Sequence, residues 1–216
     1  PDWFQDAKLG IYFHWGVYSV PAFSTEWYPR WMHFEDNNIY KHHVEKYGHP
    51  SEFGYHDFVP MFKAEKFDAK EWADLFEKAG ARFAGLVAEH HDGFSMWDRD
   101  VAPWNSMDKG PKKDITGELG KELKGNGMKL ITTFHHAKNL QRYKGKEQSE
   151  KEENTENTGR AFRNSHYPLF EGMPPAMDDP ELNYLYGNIP EEKFLEEVWF
   201  GKLKEVIDKY QPDIMW

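Results

Sequence analysis

The sequence predicts an α/β fold, a partial (β/α)8 TIM-like barrel of about four parallel strands with intervening helices. Three observations predict it. Apolar strand-like runs alternate with amphipathic stretches in the order strand, helix, strand, helix, strand, helix, strand, and that alternation requires parallel crossover connections. Three of the four runs finish in histidine, at His14, at His90-His91 and at His135-His136, and a barrel places its chemistry at the C-terminal ends of its strands. Gly16, Gly93 and Gly110 stand isolated, so a dinucleotide-binding glycine fingerprint is unsupported.

Each element has its own reason. Residues 7–16 (AKLGIYFHWG) alternate Ile11 and Phe13 with Tyr12 and His14, as a strand does. Residues 17–55 read as loop and short helix, rich in Trp, Tyr and His, with Glu26-Trp27-Tyr28-Pro29-Arg30 placing a carboxylate beside two aromatics. An amphipathic helix follows over Phe67–Gly80. Asp68 is its N-cap, Glu71 completes a capping box, and Phe67 with Trp72 forms a staple. Trp72, Leu75, Phe76 and Ala79 are expected on its apolar face, and Gly80 ends it.

The second strand lies in RFAGLVAEHHDGFSMW, delivering Glu89, His90, His91 and Asp92 before a turn on Gly93. So many titratable groups at a strand end are costly unless they bind something. Asp114 caps a helix over 115–126 with Leu119 and Leu123 inward, and Gly127 stops it. The third strand is KLITTF, residues 129–134. Residues 144–158 (KGKEQSEKEENTENT) are charged and lack an apolar anchor, so a mobile insertion is expected there. Pro190 opens a helix to Tyr210, with Phe194, Leu195, Val198, Trp199, Leu203, Val206 and Ile207 on its inner side. Residues 213–216 start a fourth strand. The whole chain, 1–216, reads as one barrel segment.

Composition narrows the function. A net charge of −10 argues against nucleic acid as a partner, because phosphate binding needs a basic face. No apolar run reaches the roughly 18 residues of a membrane span. There is no Cys, so neither disulfides nor thiol chemistry are expected. Aromatics make up 17% with nine Trp, which suits stacking on the apolar faces of sugars as well as filling a core. Residue 1 is Pro rather than Met, and no targeting segment is read from it.

The segments LGIYFHWGVYSVPAFSTEWYPR, FKAEKFDAKEWADLFEKAGARFAGLVAEHHDGFSMWD, WNSMDKGPKKDITGEL and YQPDIMW closely resemble the α-L-fucosidases of glycoside hydrolase family 29. The resemblance implies a catalytic (β/α)8-like barrel that hydrolyses terminal α-L-fucosyl linkages of oligosaccharides or glycoconjugates with retention. It implies that the fucose hydroxyls are held at His14, Glu26, Trp27, His90 and His91, and that Trp216 lines the pocket. A fucosylated glycan is then the partner, with no cofactor and no metal. Retention implies two carboxyl groups, a nucleophile and an acid/base. In the family the nucleophile is an Asp two positions beyond the Trp that matches Trp216, so neither catalytic carboxylate is expected within these residues. A second departure is the third strand, where many members carry a Tyr and this chain reads Thr132-Thr133-Phe134-His135-His136; alternation makes His135 a local substitute.

Two other readings compete. One is a truncated fucose-binding half barrel without turnover unless oligomerisation completes it; a chain ending at Trp216 would leave strands one and four as open edges, and a homo-oligomer is expected to cover them. In that case Glu26, Glu89 and Asp92 are the nearest carboxylates on the active face, although Glu89 and His90 are adjacent in an extended strand, so that if His90 faces the sugar Glu89 is expected to be structural. The other is a metal-dependent enzyme using His14, His90, His91 and His135, for which no local HxH or HExxH spacing is present.

Overall fold

The computed structural model describes residues 1–136, 180–186 and 189–216; the insertion expected at 144–158 lies outside them. Four parallel strands form one sheet in the order β1 (Gly10–Phe13), β2 (Phe83–Glu89), β3 (Lys129–Phe134) and β4 (Ile214–Met215). Sequential order with every pair parallel is the arc of a barrel. The helices are α1 (Asp2–Asp6), α2 (Tyr28–Trp31), α3 (Asn38–Tyr47), α4 (Ala69–Lys78), α5 (Ile115–Gly125) and α6 (Pro180–Tyr186). They are followed by α7 (Glu191–Lys193), a π-helical segment (Phe194–Trp199) and α8 (Phe200–Tyr210).

The two faces of the sheet have different fates. Phe13 of β1 packs on Trp72 and Phe76 of α4, with ring centroids 5.6 and 5.8 Å apart. Leu86 and Leu130 join Ile115, Leu119 and Leu123 of α5 in the same core. Tyr12 and Phe83 take the inner face instead. At the N-terminal ends of the strands the Phe83 ring lies against Gly10, where a Cβ would stand 2.1 Å from it, and Trp3 and Phe4 of α1 close over that ring. The inner face is thus plugged with aromatics at one end and carries its polar groups at the other.

Helix starts follow the expected caps. Asp68 accepts from the Glu71 amide at 2.9 Å and Asp114 from the Gly117 amide at 2.9 Å. Phe67 meets Trp72 edge-on at 5.1 Å, closing the staple. The apolar face of α4 differs from expectation. Ala69, Trp72, Ala73 and Phe76 form the stripe, while Leu75 is 60% exposed and Ala79 is exposed too. At about 100° per residue Leu75 sits roughly 110° from the centre of that stripe.

The last helix departs further. Leu195 and Ile207 are exposed, whereas Lys202 is buried beside Phe194, Val198 and Val206. These four recur every fourth residue, a spacing that drifts by about 40° per step in an α-helix. The π turns at 194–199 take up the drift and carry Lys202 inward.

Candidate active site

The strand ends bring three histidines together. His14 follows β1, His90 follows β2 and His135 follows β3. The His14 ring stands 5.3 Å from that of His90 and is stacked with that of His135 at 5.5 Å; His90 and His135 are 5.0 Å apart. His91 joins them, 4.5 Å from His90 and 5.4 Å from His135. Burial depresses the His14 pKa despite the opposing pull of Glu26, so its imidazole is neutral at pH 7 and can both donate and accept.

A β-bulge makes this convergence possible. Val87 pairs with Thr133 but Glu89 pairs with Phe134, so β2 spends one more residue than β3. The Ala88 carbonyl accepts from the Met96 amide and the Glu89 carbonyl from the His135 amide. The extra residue turns Glu89 toward the helices while His90 faces His14. The following HHDG turn is pinned by Asp92, which accepts from the Tyr55 hydroxyl at 2.7 Å and from the Phe94 amide at 3.3 Å. Gly93 supplies the turn with φ of 77°.

The other expected residues surround this cluster. Trp27 lies 4.2 Å from the His91 ring and 5.6 Å from that of His90. Glu26 and His14 line one cavity of about 360 Å³ together with Tyr18, Ser19, Ala22, Phe23, Ser24 and Thr25. Trp216 stacks on Tyr12 at 6.0 Å with 24° between ring planes, and is itself 74% exposed. Tyr12 is the residue that sequence reasoning left without a role. Its hydroxyl is 3.3 Å from His14 Nε2 and 3.0 Å from His135 Nε2. The signal was present, since Tyr12 sits two residues before His14 on the same strand face. Arg30, four residues after Glu26, is buried with its guanidinium over the Trp31 and Phe34 rings, 5.3 Å from each.

Behind the sheet lies a buried charge cluster. Lys202 donates to Glu89 Oε1 at 2.7 Å and approaches His136 Nε2 at 2.8 Å. His136 Nδ1 lies 2.5 Å from Glu89 Oε1, and Arg99 stands 3.6 Å from Glu89 Oε2. The Ser95 hydroxyl also donates to Glu89. Burial alone would push the Glu89 carboxyl up; His136, Lys202 and Arg99 outweigh it and hold it well below the usual carboxylate range. Burial pushes His136 down to about 4 and, with Arg99 beside it, Lys202 down to about 7. Glu89 is therefore a structural counter-charge and does not lie on the active face with Glu26.

The geometry has counterparts among known proteins. A profile of the α-L-fucosidase family matches residues 1–216. The chain belongs to the α-L-fucosidase family. It is 33% identical over 220 residues to the plasma α-L-fucosidase of Homo sapiens, covering all of this chain and 38% of that protein. It is 33% identical over 219 residues to the tissue α-L-fucosidase of Rattus norvegicus, covering all of this chain and 39% of the relative. The Thermotoga maritima α-fucosidase structure in complex with fucose superposes with a TM-score of 0.71 at 29% identity, over all of this chain and 46% of that one. The chain thus spans less than half the length of these fucosidases.

Proposed function

We propose that this chain forms the fucose-binding side of a retaining α-L-fucosidase, with His14, Glu26, Trp27, His90, His91 and Trp216 contacting the sugar. The observation that carries the reading is the convergence of imidazoles from three strand ends, faced by a carboxylate and an indole. Neutral imidazoles exchange hydrogen bonds with sugar hydroxyls, a carboxylate accepts from them, and indole covers an apolar sugar face. His135, with Tyr12, supplies further polar atoms at the same place.

The two catalytic carboxylates come from outside residues 1–216 in this reading. Its support is that Glu89 is engaged by Lys202, Arg99 and His136, and Asp92 by Tyr55 and the turn it holds. An aryl α-L-fucoside tests it. The 216-residue polypeptide is expected to bind the sugar without turnover. A longer polypeptide carrying the remainder of the barrel is expected to release fucose with its anomeric configuration retained. Inversion, read by NMR of the first-formed product, contradicts the reading.

Among the described residues β1 and β4 are the sheet edges. We infer that in a 216-residue polypeptide these edges pair with a second copy, since open edges and exposed apolar surface favour association. Sedimentation at micromolar concentration is expected to show an oligomer, and a stable monomer overturns the inference.

A further inference from the structure

His14, His90 and His135 each offer one ring nitrogen, and these nitrogens lie within 4.8 Å of one another. The three come from the ends of three hydrogen-bonded strands, so the backbone that carries them is held by the sheet. The sequence reading found no local metal spacing because the ligands are separated by whole β/α units and meet only in the fold. Imidazole-only donor sets suit divalent transition ions, and three such ligands with an open fourth position is a recognised zinc geometry.

We propose that His14, His90 and His135 bind one divalent transition-metal ion, of which Zn²⁺ is the probe, and that the ion excludes sugar from the same imidazoles. Closing the site needs modest movement. Ligand nitrogens around tetrahedral zinc stand roughly 3.3 Å apart, so an arrangement within 4.8 Å contracts by at most about 1.5 Å. His14 is exposed and can supply that movement, whereas His90 is buried and His135 half-buried. The Tyr12 hydroxyl holds Nε2 of both His14 and His135, so ligation by these two rings uses Nδ1 or displaces the hydroxyl. The ion is a competitor rather than a participant in turnover.

The metal assignment stands on the imidazole geometry; its competition with sugar rests on the fucose-binding reading above. Calorimetry of Zn²⁺ into the metal-free chain at pH 7.5 is expected to show one ion per chain. His14→Gln, His90→Gln and His135→Gln are each expected to weaken it at least about tenfold, which corresponds to about 1.4 kcal/mol. His49→Gln, at a histidine outside the cluster, is expected to leave it unchanged. Co²⁺ added to the unsubstituted chain gives a readout that needs no variant, and intense visible absorption of a tetrahedral site is expected. Lack of that absorption, or Zn²⁺ affinity that survives the triple substitution, overturns the proposal. Fucose titrated into metal-free chain reads the sugar assignment separately, so the failure of either is seen without the other.

Discussion

Glu89 and His90 are neighbours with opposite tasks. One carboxylate is buried against Lys202, Arg99 and His136, while the next side chain enters the histidine cluster. The tautomer of His136 follows from its partners. With Lys202 donating to Nε2, the imidazole proton falls on Nδ1, which lies 2.5 Å from Glu89 Oε1. Protonating it would add a cation beside two others. The folded-state pKa of His136, about 4, lies below the ordinary 6.5. Between those values the unfolded chain binds the extra proton and the folded one does not, so stability rises with pH across the window. Its contribution is fully present above pH 6.5 and is lost as pH falls through 4. Glu89, held below its usual range, acts in the same direction at still lower pH. Urea unfolding is expected to lose on the order of 2–3 kcal/mol between pH 6.5 and pH 4. A flat stability profile over that window contradicts this account of the cluster. The sequence marked Glu89 as structural through strand alternation, yet nothing in it named Lys202 as the partner, 113 residues away.

Elements show where pattern suffices and where it does not. β3 and the caps of α4 and α5 were legible because each depends on a few adjacent residues: the apolar run KLITTF, Asp68 and Asp114. The inner side of the last helix was not. A 3.6-residue period places Leu195 and Ile207 inside, and the π segment moves them to the surface in favour of Lys202. Lys202, so placed, meets Glu89 and His136 behind the sheet, a tertiary fact. The bulge in β2 is similar. Strand alternation separates Glu89 from His90, but the register slip against β3 is visible only once Val87 and Glu89 are seen paired with Thr133 and Phe134. That slip is what lets the ends of β2 and β3 both aim a histidine at His14. α4 misplaced only its margin, Leu75 and Ala79, since Trp72 and Phe76 do pack inward.

Across the molecule, one end of the sheet is closed by α1 and Phe83 and the other gathers His14, His90, His91, His135, Glu26 and Trp27. That polarity was legible from three strands ending in histidine, a recurrence along the chain that needs no contact information. Membership of the α-L-fucosidase family agrees with it, and among the described residues no helix is long and apolar enough to cross a membrane. The central claim is that the histidine end of this sheet is a fucose subsite. Calorimetry of L-fucose into the unsubstituted, His90→Ala and His91→Ala chains tests it most directly. The account predicts saturable binding that each substitution weakens by roughly 1–3 kcal/mol, the cost of leaving a buried sugar hydroxyl without its partner. Fucose affinity unchanged in both variants would contradict it.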